Sequence, residues 1–236
     1  WLSTLSIVQQ SADGLVPHEM AREVLHADLR WRDPETHDEV FRSVRRHVHG
    51  RLRRARGAER VRAAADLKYL FRHLRSVLAP VEWTQWGAHH PETASPSERT
   101  AVVELVAVAE GPESAAIAGL WFDHQPGAVH VLRRTDGGVQ GTLFLLDHTA
   151  APESVRDADP VASSAWASVH RQAPPRPGER VTTTRFVIDR DAYQGPSPTL
   201  NAAPIATLLR YLDMPDLAWD VLVLHEPDAW DEYFAA

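Results

Sequence analysis

Four points of the chain carry the same helix-start signal, and they fix where its main helices can begin. At each point a small polar residue that can cap a helix is followed at once by proline. The polar side chain accepts a hydrogen bond from the first turn, and proline lacks the N–H group that would go unpaired there. We therefore predict helix starts at Asp33-Pro34, Ser95-Pro96, Asp159-Pro160 and Ser197-Pro198, with Glu98 completing a capping box in the second.

Hydrophobic periodicity between these signals predicts the other elements. A short helix over 1–6 and a hairpin over 7–17, turning at Asp13-Gly14, come first. We predict further helices over 18–31, 34–56, 58–79, 96–110, 112–125, 160–171, 198–212 and 227–236. Strands are predicted over 81–86, 128–134, 139–148, 180–189 and 217–224, and a loop over 87–96. The predicted fold class is α+β, with a winged-helix and helical segment followed by a mixed α/β domain.

Composition places the chain among globular proteins. Hydrophobic residues make up 44% and charged residues 24% of the 236 positions, which is enough to build sizeable cores. No apolar run approaches the roughly 20 residues that a membrane-spanning helix needs, so we expect no membrane partner. Cysteine is absent, which excludes disulfides and thiolate metal sites and fits a reducing, cytoplasmic location. The first residues lie inside an apolar pattern, and we expect the parent chain to continue upstream.

Charge is unevenly distributed although the net charge is -7. An arginine-rich stretch contains Arg42, Arg45, Arg46, Arg51, Arg53, Arg54, Arg56 and Arg60. Such a stretch can bind nucleic acid. A solvated helix face or a contact with an acidic neighbouring domain explains it better, because Asp and Glu residues are interleaved and no base-reading motif accompanies it.

A histidine stands where the predicted hairpin passes into a helix, in Gly14-Leu15-Val16-Pro17-His18-Glu19-Met20. The positive end of the helix dipole and its free N–H groups favour an anion at this position. The segment resembles the Met-His-Asp motif in the winged-helix domain of NB-ARC and related STAND signalling ATPases, with Glu19 in place of Asp. The resemblance implies that His18 contacts the β-phosphate of ADP, bound mainly by an upstream ATPase domain. The phosphate-binding motif Gly-x-x-x-x-Gly-Lys-Ser/Thr does not occur in this chain, so we expect no ATP hydrolysis by it alone.

The order of elements after residue 80 resembles the GNAT N-acetyltransferase fold, as found in GNAT-like domains of actinobacterial STAND-type regulators. The supporting residues are the hairpin strands Val129–Arg134 and Gly141–Asp147, then Arg176-Pro177-Gly178-Glu179 and Arg190–Ser197. We therefore divide the chain into a winged-helix end over 1–32, a helical linker domain over 33–80 and a GNAT-like domain over 81–236, incomplete at its C-terminus.

The GNAT resemblance implies an acetyl-CoA site and a pair of catalytic groups. GNAT enzymes cradle the pyrophosphate in an Arg/Gln-x-x-Gly-x-Gly/Ala loop at a helix N-terminus, and the nearest substitute here is Gln194-Gly195-Pro196-Ser197. Pro196 and Pro198 remove two N–H donors from it. Glu179 as base and Tyr193 as acid are the best catalytic pair. No metal-binding spacing occurs among the 13 histidines.

Three functions follow as alternatives. The first is a signalling or transcription-regulating fragment in which the GNAT-like domain senses a small molecule or binds a partner. The second is an active N-acyltransferase that uses acyl-CoA. The third is a nucleic-acid-binding module that acts through the arginine-rich helices.

Overall fold

The computed structural model describes residues 2–11, 14–71, 91–133 and 137–227. The chain divides into two compact units, Trp1–Arg54 and Ala55–Ala236. The boundary predicted near residue 80, the strand predicted over 81–86 and all but the first residue of the helix predicted over 227–236 lie outside the described residues. The domain limits drawn from the sequence therefore stay predictions.

The described part of the first unit is a hairpin followed by two helices. Strand β1 (Val8–Ser11) pairs antiparallel with β2 (Gly14–Pro17), and a single 3₁₀ turn at Leu2–Thr4 precedes them. Helices α1 (Glu19–Arg32) and α2 (Pro34–Arg54) follow. These elements confirm the hairpin predicted over 7–17 and the two helices predicted next to it.

The described part of the second unit contains six α-helices and five strands. The helices are α3 (Gly57–Leu70), α4 (Arg99–Glu110), α5 (Pro112–His124), α6 (Glu153–Asp157), α7 (Pro160–Gln172) and α8 (Pro198–Asp213). The strands are β3 (Glu92–Thr93), β4 (Val129–Arg133), β5 (Val139–Asp147), β6 (Arg180–Asp189) and β7 (Leu217–Leu222).

The four predicted helix starts are confirmed by their hydrogen bonds. The Asp33 carboxylate accepts the Thr36 N–H at 3.0 Å, and the Asp159 carboxylate accepts the Val161 N–H at 3.0 Å. Two further bonds complete the set: Leu200 N–H to Ser197 Oγ at 3.1 Å, and Ser95 N–H to the Glu98 carboxylate at 2.8 Å. The Ser95–Glu98 bond is the capping-box interaction, here in a short 3₁₀ turn that leads into α4.

One mixed sheet, in the order β3-β4-β5-β6-β7, organises the second unit. Neighbouring strands are antiparallel except β6 and β7, which run parallel. A parallel pair needs a crossover connection, and α8 supplies it. The fold is therefore α+β, as predicted.

Side chains of the sheet alternate between two hydrophobic layers, as the pleat requires. On β5, Phe144 and Leu146 join the layer that contains Trp121 of α5, whereas Leu143 joins Leu200 of α8. The sheet thus lies between α4 and α5 on one face and α8 on the other. This places α8 directly over the parallel strand pair.

Two elements were missing from the sequence prediction. Strand β3 falls in the predicted loop over 87–96, and the five-residue helix α6 lies in a stretch that carried no signal. Both are short and depend on their neighbours, since Glu92 pairs opposite Val131 and α6 is anchored by its buried residue Val155. Within the described ranges, no helix is both long and apolar enough to span a membrane.

A buried ion pair joins α7 to the sheet. The Asp159 carboxylate, fully buried, binds the Arg185 guanidinium of β6 and accepts a hydrogen bond from the Trp121 indole N–H at 2.8 Å. The same carboxylate caps α7. Removing it leaves a buried cation and an unpaired indole N–H, which is far costlier than losing an exposed pair.

We expect Asp159→Ala to lower the free energy of unfolding by about 3–5 kcal/mol. Asp123→Ala is the matched control, because it removes an ion pair with Arg99 in which both side chains are about half exposed, and such pairs contribute about 0–1 kcal/mol. Urea unfolding of the three proteins measures both values. Equal losses in the two variants would contradict the structural role given to Asp159.

Candidate functional site

Strands β6 and β7 separate partway along β6. They pair from Arg180 to Thr184, and the last bond between them runs from the Val223 N–H to the Thr184 carbonyl at 3.0 Å. Beyond Thr184, β6 continues beside β5 as far as Asp189. The second half of β6 therefore faces an opening where β7 would otherwise lie.

A bulge in β6 coincides with this separation. Phe186 has φ of 51°, a left-handed backbone conformation, and the register with β5 shifts between Thr142 and Phe144. An extra residue in one strand bends it and increases its twist. The Phe186 ring packs edge-to-face on the Phe144 ring, with centroids 5.1 Å apart, which holds the bulge in place.

A cavity of about 300 Å³ fills the opening beneath α8. Its wall is mostly apolar and combines side chains of β6, β7 and α8, namely Val187, Leu222, Leu200, Ala203, Pro204 and Leu208. Cavities of this size and composition are typical of small-molecule sites. The cavity is therefore the candidate binding site of the second unit.

Two charged side chains also line the cavity, Asp220 and Lys68. The Asp220 carboxylate is fully engaged: it lies 2.9 Å from Arg210 Nη2 and accepts hydrogen bonds from Thr182 and Tyr211 at 2.7 and 3.2 Å. Its negative charge is thus balanced by the buried Arg210 guanidinium.

Lys68 of α3 has no such partner. No ion pair or hydrogen bond joins its ammonium to any group in the described ranges, and burial lowers the pKa of the amine. Sequence reasoning missed this residue. A signal was present, since Lys68 is the only lysine among the 25 basic residues of the chain.

The loop between β6 and α8 is built around the buried Asp189 carboxylate. It accepts the N–H groups of Asp191 and Ala192 at 3.0 and 3.2 Å, and the Thr199 hydroxyl at 2.8 Å. Thr199 in turn lies so close to Gly141 of β5 that a Cβ atom there would be 2.0 Å from its hydroxyl oxygen. Glycine at 141 therefore lets α8 approach the sheet and close the cavity.

The three residues predicted to bind acetyl-CoA, Gln194, Gly195 and Ser197, lie in this loop. Gln194 lines the cavity, and its side-chain carbonyl accepts the His225 N–H at 2.8 Å. Ser197 is buried and caps α8. The Gly195 N–H donates to the Ala192 carbonyl at 2.8 Å within a turn.

These placements do not suit the pyrophosphate of acetyl-CoA. A phosphate cradle needs several free N–H groups at a helix start. The Gly195 and Leu200 N–H groups are already bonded, and Pro196 and Pro198 have none. The loop therefore offers fewer N–H donors than the GNAT resemblance implies.

Glu179 and Tyr193 are not brought together. Glu179 precedes β6 and Tyr193 follows it, and ten residues of strand span about 30 Å. Glu179 accepts the Arg176 N–H at 2.7 Å in a surface turn. The Tyr193 hydroxyl donates to Glu110 at 3.0 Å, and burial, with the Glu110 charge, raises the pKa of Tyr193 to about 12. They cannot act as base and acid on one substrate.

His18 of the first unit takes the N-cap position of α1, as predicted. Its backbone N–H donates to the Ile7 carbonyl at 2.7 Å, which ties the hairpin to the helix. The side chain is exposed and makes no capping hydrogen bond. The imidazole is thus available to an anion at the helix N-terminus.

Part of the arginine-rich stretch lies on α2, whereas Arg56 and Arg60 lie at and in α3 of the second unit. Residues 40–54 contain six arginines and no carboxylate. Five exposed side chains line a shallow groove along the helix, namely Arg42, Arg45, Arg46, His49 and Arg53. Within the described part of the chain, no carboxylate forms an ion pair with these arginines.

Comparison with known protein families, curated proteins and solved structures finds no match to this chain.

Proposed function

We propose that the chain belongs to a cytoplasmic signalling regulator, in which the second unit is a GNAT-like sensor that binds a small molecule between β6, β7 and α8. The observation that carries this proposal is the apolar cavity in the opening between the only two parallel strands of the described sheet. Ligand binding at this place would change the packing of α8, since α8 contributes more side chains to the wall than any other element.

Binding without catalysis accounts for the site better than acyl transfer does. In the β6–α8 loop the Gly195 and Leu200 N–H groups are already bonded, and Pro196 and Pro198 have none. The Glu179 carboxylate lies at the far end of β6 from Tyr193. The Tyr193 phenol is bonded to Glu110, and its pKa of about 12 makes it a poor acid near neutral pH. The order of strands supports a GNAT-like fold, whereas these residues disfavour GNAT chemistry.

A neutral eight-carbon probe, 1-octanol, should stabilise the protein. At ten times its Kd, a ligand that binds only the folded state adds about 1.4 kcal/mol, which corresponds to a rise in Tm of about 3–5 °C for a chain of this size. Thr207→Phe, which places a ring in the cavity, should abolish the shift. Thermal unfolding measures both.

Ala167→Phe is the matched control, because it adds the same ring at an exposed position of α7. It should leave the octanol shift unchanged. Saturable stabilisation by acetyl-CoA together with acyl transfer to an amine would instead establish the enzyme alternative. An octanol shift that survives Thr207→Phe would place the ligand elsewhere.

We further propose that His18 reports nucleotide state, through contact with a phosphate of ADP held by an upstream ATPase domain of the same protein. The exposed imidazole lies beside the first turn of α1, where the helix dipole favours negative charge. This environment therefore suits an anion such as a nucleotide phosphate. The phosphate charge of the bound nucleotide would be what His18 senses.

In the longer protein that contains the ATPase domain, we expect His18→Ala to release ADP about ten to a hundred times faster, since one hydrogen bond to a charged group contributes about 1.5–3 kcal/mol. His49→Ala is the control, because His49 is an exposed histidine on α2 of the same unit. Stopped-flow release of a fluorescent ADP analogue gives the rates. Equal rates for wild type and His18→Ala would remove the nucleotide role.

A second candidate function, nucleic-acid binding, is favoured by the α2 surface. Six arginines without a carboxylate in 15 residues give a dense positive charge, and Arg45, Arg46 and Arg53 form no ion pair with a carboxylate of the described residues. Phosphate contacts release counterions, so such binding weakens steeply with salt.

The double variant Arg45→Gln/Arg46→Gln should lower the slope of log K against log salt for duplex DNA by about two. Arg171→Gln, at an exposed position of α7, should leave it unchanged. Fluorescence anisotropy between about 50 and 200 mM salt measures the slope. No binding by the wild type at low salt would eliminate this candidate.

A further inference from the structure

The cavity beneath α8 contains one charge that no residue of the described ranges balances. Asp220 is neutralised by Arg210 at 2.9 Å and bonded to two hydroxyl groups. Lys68 lines the same wall and has no anionic partner within the described ranges. An anion from outside the protein would complete this charge pattern.

We propose that the cavity binds an apolar carboxylic acid, with its chain along the α8 wall and its carboxylate on the Lys68 ammonium. This proposal rests on the proposed sensor function and names the class of ligand. A charged amine beside an apolar wall loses hydration, and an incoming carboxylate restores both a hydrogen bond and a counter-charge. The lowered pKa of Lys68 reflects that loss of hydration.

Size limits the acid to a chain of medium length. A cavity of about 300 Å³ lies at the lower end of the range of small-molecule sites, which favours a ligand of about ten heavy atoms. Octanoate has that number of heavy atoms. A much longer acid would have to leave the cavity or displace α8.

A lysine at position 68, in place of an arginine, also suits the binding of a single carboxylate headgroup. The remaining 24 basic residues are arginines, and several of them bind the protein's own carboxylates, as Arg210 binds Asp220. An arginine at 68 would bring a wide planar group with five N–H donors, whereas lysine brings a compact charge at the end of a flexible chain. Lysine therefore leaves more of the cavity free for the ligand.

The test compares octanoate with 1-octanol on the wild type, Lys68→Met and Lys68→Arg by titration calorimetry. Octanoate should bind Lys68→Met about tenfold or more weakly than it binds the wild type, and Lys68→Arg should keep part of the affinity. Octanol should bind wild type and Lys68→Met within about twofold of each other, because it gains nothing from the charge.

The outcomes separate this inference from the function on which it rests. Octanoate affinity unchanged in Lys68→Met, with octanol still bound, overturns the carboxylate and leaves the sensor proposal standing. Failure of the wild type to bind either compound overturns both.

A second measurement needs no variant. Because Lys68 is the only lysine, acetylation by acetic anhydride modifies one side-chain amine, which mass spectrometry of the Lys68 peptide quantifies. Saturating octanoate should slow that acetylation at least about fivefold, whereas octanol at equal occupancy should slow it less. Equal acetylation with and without octanoate would contradict the proposed contact.

Discussion

The second unit depends on the unequal pairing of β6. This strand is bonded to β5 along nearly its whole length but to β7 only as far as Thr184. The left-handed backbone at Phe186 separates the two halves, and such a conformation costs a non-glycine residue of order 1–3 kcal/mol. Burial of the Phe186 ring against Phe144 offsets that cost, so that core packing on one face keeps the opening on the other.

The same arrangement explains why α8 lies where it does. The crossover from β6 to β7 has to return over the parallel pair, and it begins in a loop tied together by the Asp189 carboxylate. Tyr193 of this loop is the second residue with a left-handed backbone, with φ of 53°. Both residues precede α8. The buried ring of Phe186 packs on Phe144, and the Tyr193 hydroxyl donates to Glu110. The cavity therefore follows from the way β6 is bent and paired.

Local chemistry explains which parts of the fold were predictable. The four helix starts depend on a cap and a proline within a few residues of each other, and β6 matches its predicted limits because its apolar run is long and continuous. Strand β3 and α6 were not predictable, since two or five residues carry too little pattern and are stabilised by distant partners. The bulge at Phe186 likewise results from pairing with β5. The residue types around Phe186 do not predict it.

The candidate site was harder to predict than the fold, because its residues depend on distant contacts. Glu179 and Tyr193 were selected because each lies near a strand end. They lie near opposite ends of the same strand, β6, and are therefore far apart. Gln194, Gly195 and Ser197 were placed correctly in the loop before α8, yet their hydrogen bonds serve the turn, the cap and His225.

Lys68 lies on a helix more than a hundred residues from the strands whose cavity it lines, and no local pattern connects them. The one feature of Lys68 that the sequence does show is that it is the only lysine of the chain. In a chain whose other basic side chains of this kind are all arginines, a lone lysine in an apolar wall suits a task that a guanidinium performs badly. Such a task is to give one carboxylate headgroup a compact counter-charge that leaves room for the rest of the ligand.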